Sequence, residues 1–210
     1  MITIFKPVIP SITPVISGDF YNIIPWLTVL IISGLSALFI ARYAAERFKT
    51  DKRKTAICFI ALSVVLSVMM LCFFGFSAIT TKGIILSLIF ILSSFEDIKT
   101  RECDDFLHVM IVIAAFLGIN LTALPGMFIS AIFVFAIMIG TILVTNGDIG
   151  GADIKMSVAC AFLLGIRKGI LGLIIGLILA VIFNIFKKNK KAGFPMIPYL
   201  AVGFMTAYFI

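Results

Sequence analysis

Residues 55–79 read TAICFIALSVVLSVMMLCFFGFSAI, a run without a single charged side chain. It is longer than the ~20 apolar residues that carry a helix across a bilayer. Comparable runs recur near Ile24 to Ala45, Gly83 to Phe95, Phe106 to Ala123, Gly126 to Val144, Ile154 to Gly165, Gly169 to Phe186 and Met196 to Ile210. A chain in lipid must satisfy its own backbone hydrogen bonds. The pattern therefore predicts an all-α polytopic membrane protein with about six to eight transmembrane helices. The third, sixth and eighth runs are shorter than usual, and such segments tend to pack inside protein or line a water-filled cavity.

Composition excludes the alternatives. The 210 residues are 62% hydrophobic and 13% charged, with a mean hydropathy of +1.23, far from the balance of soluble domains. No separate soluble domain fits, so residues 1–210 are expected to form one membrane domain. Residues 1–82 supply a tail and two helices without a recognisable motif, and residues 83–210 a motif-bearing core. The opening stretch to Tyr21 carries Pro7, Pro10 and Pro14 but only one basic residue, Lys6, unlike a cleaved signal. Cys58, Cys72, Cys103 and Cys160 form no C-x-x-C pair and have no His at metal-ligand spacing, so neither a zinc site nor a disulfide framework is expected.

The net charge of +7 is best read as topology. If alternate loops share a side, Arg42, Arg47, Lys49, Lys52, Arg53, Lys54, Lys99, Arg101, Lys155, Lys187, Lys188, Lys190 and Lys191 fall together, 13 of the 17 basic residues. Lys6, Lys82, Arg167 and Lys168 fall opposite. Basic loops stay inside, which predicts that the first side is cytoplasmic and the amino terminus outside. No basic stripe is interleaved with stacking aromatics, so a nucleic-acid partner is not expected.

The acidic residues contradict that pattern. Glu96, Asp97, Glu102, Asp104, Asp105, Asp148 and Asp153 lie in two segments on the basic side, FEDIKTRECDDF and NGDIGGADIKM. Carboxylates at a membrane boundary are costly to desolvate. Two crossings separate the segments, so the chain leaves and returns to one face and Asp97 and Asp153 could meet. Two carboxyls sharing one site cannot both ionise cheaply, so one keeps a proton while the other stays charged. That pair can act as general base toward water and general acid toward a scissile carbonyl. Gly150 and Gly151 let the backbone ahead of Asp153 bend tightly.

Plainer roles stand beside this one. Asp153 could cap its helix, as could Asp104 and Asp105, and Asp97 could pair with Lys99 or Arg101. The carboxylates could instead bind ions or relay protons in a transporter, although no internal repeat is visible. His108, the single histidine, is a poor metal ligand by itself and fits a packed position between helices.

The two acidic segments resemble the type IV prepilin peptidases, and especially their archaeal relatives that process prepilins and preflagellins. In that family of polytopic GxGD aspartic endopeptidases the first aspartate opens a D-I/F-K/R-x-R-x-x-x-D/N segment. Here Asp97, Ile98, Lys99, Thr100, Arg101, Glu102, Cys103, Asp104 and Asp105 match it. The second lies in a run like M-G-x-G-D-x-K-L, matched by Ile149, Gly150, Gly151, Ala152, Asp153, Ile154, Lys155 and Met156, with Ala152 in place of the second glycine. A P-F-x-P-x-L-x-x-G pattern ahead of the last helix is matched from Pro195 and Pro198 to Leu200 and Gly203.

The resemblance implies that Asp97 and Asp153 are a catalytic dyad in loops at the cytoplasmic face, and that Gly150 and Gly151 shape the second loop. Lys99, Arg101, Glu102, Asp104, Asp105, Asp148 and Lys155 would tune the pair or meet the substrate leader. The implied partners are the lipid bilayer and prepilin-like or preflagellin (archaellin) precursors, cleaved ahead of their apolar helix. No cofactor or metal is implied. Methyltransferase activity is not expected either, because the paired C-x-x-C motifs of bacterial members that methylate their products are missing.

Overall fold

The computed structural model describes residues 23–145, 150–186 and 194–210. They form seven α-helices in chain order: α1 (Ile23–Arg47), α2 (Lys52–Phe74), α3 (Ala78–Thr100), α4 (Asp105–Ala115), α5 (Leu124–Thr145), α6 (Gly151–Ile185) and α7 (Ile197–Phe209). A short 3-10 turn, Leu121–Ala123, leads into α5. Five of the helices are long and apolar enough to cross a membrane, as a polytopic all-α reading requires. No strand occurs among the described residues.

Helix α6 is two helices. Gly165 has φ +77° and ψ 174°, a conformation open to glycine but strained for other residues. A Cβ placed on Gly169 would lie 2.9 Å from the Ala161 Cα, whereas residues eight apart in a straight helix are separated by ~12 Å. The chain therefore folds back at Gly165, into antiparallel stretches 151–164 and 166–185. These match the sixth and seventh runs expected from the sequence.

Two expected boundaries move. The third run, taken as Gly83 to Phe95, extends to the 23-residue helix α3. Lys82 does not end it, because its Nζ donates to the Ala115 carbonyl oxygen at 3.0 Å and so caps the carboxyl end of α4. The polar residues Glu96 and Asp97 are consequently on a helix and buried, not in a loop. The fourth run, taken as Phe106 to Ala123, shrinks to the 11-residue α4. Gly118 at φ +61° and the Asn120 side chain, which accepts from the Thr122 N–H at 3.2 Å, turn the chain before α5.

Several polar side chains are matched between helices, as hydrocarbon surroundings favour. Ser33 shares hydrogen bonds of 2.6 and 2.7 Å with Ser63 and Ser67, joining α1 to α2. Ser130 donates to the Ala161 carbonyl at 2.8 Å, joining α5 to α6. Tyr208 donates to the Ile79 carbonyl at 2.7 Å and fixes the last turn of α7 against the first turn of α3. The closest approach is between α7 and the 166–185 stretch. A Cβ on Gly203 would lie 2.4 Å from both the Gly172 oxygen and the Gly176 nitrogen. Small residues allow backbones to meet this way.

Basic residues sort by end. Arg47, Lys52, Lys99, Arg101 and Lys155 lie at the end where α1 and α3 finish and α2, α4 and α6 begin, while Lys82, Arg167 and Lys168 lie at the other. Gly203→Ala is expected to lower the thermal unfolding midpoint in detergent, with an overpacking cost of about 1–3 kcal/mol. Gly140→Ala, where a Cβ meets nothing within 4 Å, is expected to leave the midpoint unchanged or raise it.

Candidate active site

Asp97 sits one turn from the end of α3 and is 6% exposed. Its Oδ2 accepts a 2.9 Å hydrogen bond from the backbone N–H of Ile197, and the N–H of Met196 also points at this carboxyl. Both donors belong to the first turn of α7, which receives no cap from its own Met196 side chain. A carboxylate here satisfies free N–H groups and sits at the positive end of the helix dipole. The Pro195–Met196–Ile197–Pro198 segment thus gains a physical meaning. Prolines carry no N–H, and the two residues between them supply the donors to Asp97. The sequence displayed this motif, but its partnership with Asp97 lay 100 positions away.

Asp153 lies in the first turn of α6, behind Gly150 as N-cap. Its backbone N–H bonds the Gly150 carbonyl at 3.1 Å, and its side chain reaches back to the Gly150 backbone. This is the reciprocal half of a capping box, so the capping role foreseen for Asp153 coexists with its place in the site. A Cβ on Gly150 would stand 2.9 Å from Asp153 Oδ2, whereas one on Gly151 meets nothing within 4 Å. Gly150 has φ −66°, so what it needs is space, not a left-handed backbone. Ala152 stands inside the helix, where an alanine is favourable.

The two aspartates lie within electrostatic range of each other, and the charges of Glu96, Asp97, Asp104 and Asp153 all reach the Cys103 thiol. Burial first, and then that negative surround, pushes Cys103 up to about 12. It stays a thiol at neutral pH and offers no nucleophile.

The other polar residues have defined partners. Arg101 adopts φ +62° and ends α3, its N–H bonding the Asp97 carbonyl at 3.0 Å. Lys99 Nζ lies 5.6 Å from the centre of the Phe95 ring. Neither forms an ion pair with Asp97 among the described residues; the charge of Arg101 still reaches the carboxyl, while its hydrogen bonds come from the amino end of α7. Asp104 is the N-cap of α4 by position but makes no side-chain cap bond. Its carboxylate instead meets both nitrogens of the Arg47 guanidinium, with Nη2 to Oδ1 at 2.8 Å. Asp105 pairs with Lys155 at 2.6 Å. Glu102 is exposed, and Asp148 lies outside the described residues. His108 is buried; neither ring nitrogen forms a hydrogen bond among the described residues, and Nδ1 lies 4.0 Å from Asp105 Oδ1. Among the described residues no group of three or more His, Cys, Asp or Glu side chains is arranged to hold a metal ion.

Two participants carry no motif. Glu96, 1% exposed, accepts from the Asp104 N–H at 3.1 Å and from Arg47 Nη1 at 3.4 Å. Arg47 comes from α1 and also donates to Tyr43 at 2.9 Å. The only signal in the sequence was a glutamate next to Asp97, with a cation at the end of the first long helix. The Arg47 guanidinium holds the Asp104 carboxyl below the ordinary carboxylate range. Because the folded value lies below the unfolded one, the pair's contribution is complete above about pH 4 and fades as pH falls through the depressed value. Arg47→Ala is therefore expected to speed backbone hydrogen exchange at residues 101–105, while Glu46→Ala leaves it unchanged. The gap in thermal stability between the wild type and Asp104→Asn should be present at neutral pH and close in acid.

Residues 84–185, just under half of the chain, match the model of the Type IV leader peptidase family. No curated protein and no solved structure matches it. The matched segment begins in α3, ahead of Asp97, and runs through Gly150 and Asp153 to the end of α6. Both aspartates fall inside the matched region, whereas α7, which donates to Asp97, lies beyond it. The chain is thus a multi-pass membrane protein whose segment 84–185 is similar to the type IV leader peptidase family.

Proposed function

We propose that this protein is an aspartic endopeptidase that removes the short basic leader from type IV prepilin-like or preflagellin (archaellin) precursors, with Asp97 and Asp153 as the catalytic pair. The observation that supports this reading is that Asp97 and Asp153 lie within electrostatic range of each other at the end of the bundle where the basic residues gather. By the positive-inside rule that end faces the cytoplasm and the amino terminus lies outside. Water reaches such a boundary, so the nucleophile is at hand. The ionised carboxyl takes a proton from water while its protonated partner donates to the scissile carbonyl oxygen, and the two then exchange roles as the amine leaves. The precursor's apolar helix lies against the bundle in lipid, and its leader stays in water.

Three features support the assignment of roles. The α7 backbone holds Asp97 from one side, and the cap at Gly150 orients Asp153 from the other. Asp104 and Asp105 are matched by cations, whereas Glu102 is exposed with no ion-pair partner among the described residues. Glu102 is accordingly assigned the first contact with the basic leader. Methyltransferase activity is not assigned, since the sequence has no C-x-x-C pair.

Cleavage of a tagged precursor in membranes tests the reading. Asp97→Asn and Asp153→Asn are each expected to lower the rate by at least about a thousandfold, with the protein still present at wild-type levels. Processing that continues with either replacement would overturn the dyad. Gly150→Ala pushes on the Asp153 carboxyl and is expected to cost about ten- to a hundredfold in kcat. Gly151→Ala, with open space around it, should cleave at the wild-type rate.

A further inference from the structure

A second site lies away from the aspartates. The end of α1 and the start of α2 enclose a groove of about 510 Å³ lined by Leu38, Arg42, Glu46, Lys52, Arg53 and Ala56. Its composition is divided. Leu38 and Ala56 are half-buried members of the two apolar spans, and the four charged residues are exposed. Lys52 is already matched by Glu46 at 2.8 Å. Arg42 and Arg53 form no ion pair with any described residue, and Arg42 has only the longer-range charge of Glu46, which Lys52 already pairs, so the groove sets three cations against one carboxylate above an apolar surface. The link 48–51 joins the two spans directly, which puts the groove at the edge of the membrane.

We infer that this groove seats the headgroup of an anionic phospholipid, its phosphate on Arg42 and Arg53 and its acyl chain along Leu38 and Ala56. Guanidinium forks match phosphate oxygens in pairs, and basic pockets between membrane helices select anionic lipid. A free phosphate ion would use the arginines and leave the apolar part bare. A basic leader peptide would be repelled. The groove is built by α1 and α2, outside the family-matched segment, and its assignment is independent of the peptidase reading.

Native mass spectrometry of the full-length protein released from phosphatidylcholine nanodiscs, with and without phosphatidylglycerol, tests the inference. Wild type is expected to retain phosphatidylglycerol in preference to phosphatidylcholine. Arg42→Gln with Arg53→Gln should reduce that retention roughly tenfold or more. Lys49→Gln with Lys54→Gln removes equal charge at the same helix ends but outside the groove, and should retain it. Ala56→Leu fills the groove without touching its charge and should also lose the lipid, which keeps the test decisive if the arginine variant does not fold. Equal losses from the arginine and lysine pairs would reveal diffuse surface attraction and overturn the site, as would no loss from either. Displacement of phosphatidylglycerol by inorganic phosphate at equal concentration would overturn the lipid assignment in favour of a phosphate-ion site.

Discussion

The hydrogen bond from the Ile197 N–H to the Asp97 carboxylate is the constraint on which the site end of this bundle rests. It joins the last turn of α3 to the first turn of α7. A buried carboxylate needs donors, and the first turn of a helix has donors without acceptors, so each settles a debt of the other. At the far end, Tyr208 and Ile79 tie the same two helices. α7 is thereby held at both ends while Gly203 lies against Gly172 and Gly176. This fixes the 166–185 stretch, and through the fold at Gly165 it also orients the 151–164 stretch that carries Asp153.

The amino-terminal helices, which carry no motif, join this end of the molecule through Arg47 and a set of aromatic contacts. Arg47 reaches from α1 to the segment between α3 and α4 and meets Asp104 and the buried Glu96 together. Aromatic contacts continue the same link. The Arg47 guanidinium lies 5.3 Å from the Phe48 ring centre, Phe48 packs edge-on against Phe95, and Phe59 of α2 meets Phe95 from another side. Phe95 immediately precedes Glu96 and Asp97. The position of Asp97 along α3 is therefore braced by three other helices, α1, α2 and α7.

Much of this was legible in the residues, for physical reasons that can be named. Apolar length identified the spans, and the spacing of Asp97 and Asp153 across two crossings placed them on one face. Ala152 was readable as tolerable, since its position needs no positive φ. Other features were not visible. Lys82 looked like a boundary because a cation usually is one, and only the distant Ala115 carbonyl makes it an interior residue. Asp104 looked like a helix cap because its position is that of a cap, yet a guanidinium competes better for a carboxylate than neutral backbone N–H groups do. Asp97 and the first turn of α7 could not be joined from local pattern, since no periodicity links residues so far apart. Gly150 and Gly151 looked alike, and only the placement of the Asp153 carboxyl distinguishes them.

The short helices have a consequence for the surrounding lipid. α4, the 151–164 stretch and α7 rise only about 17, 21 and 20 Å at 1.5 Å per residue, against a hydrocarbon thickness of ~30 Å. α4 and α7 both pack against α6, so the deficits fall in one region of the bundle. Hydrophobic mismatch of this size is met by compressing the leaflets or by bringing interfacial water deeper. For the peptidase proposed above, this shortfall in helix length would lie beside Asp97 and Asp153, and a precursor helix arriving there would meet polar surroundings sooner than elsewhere in the membrane.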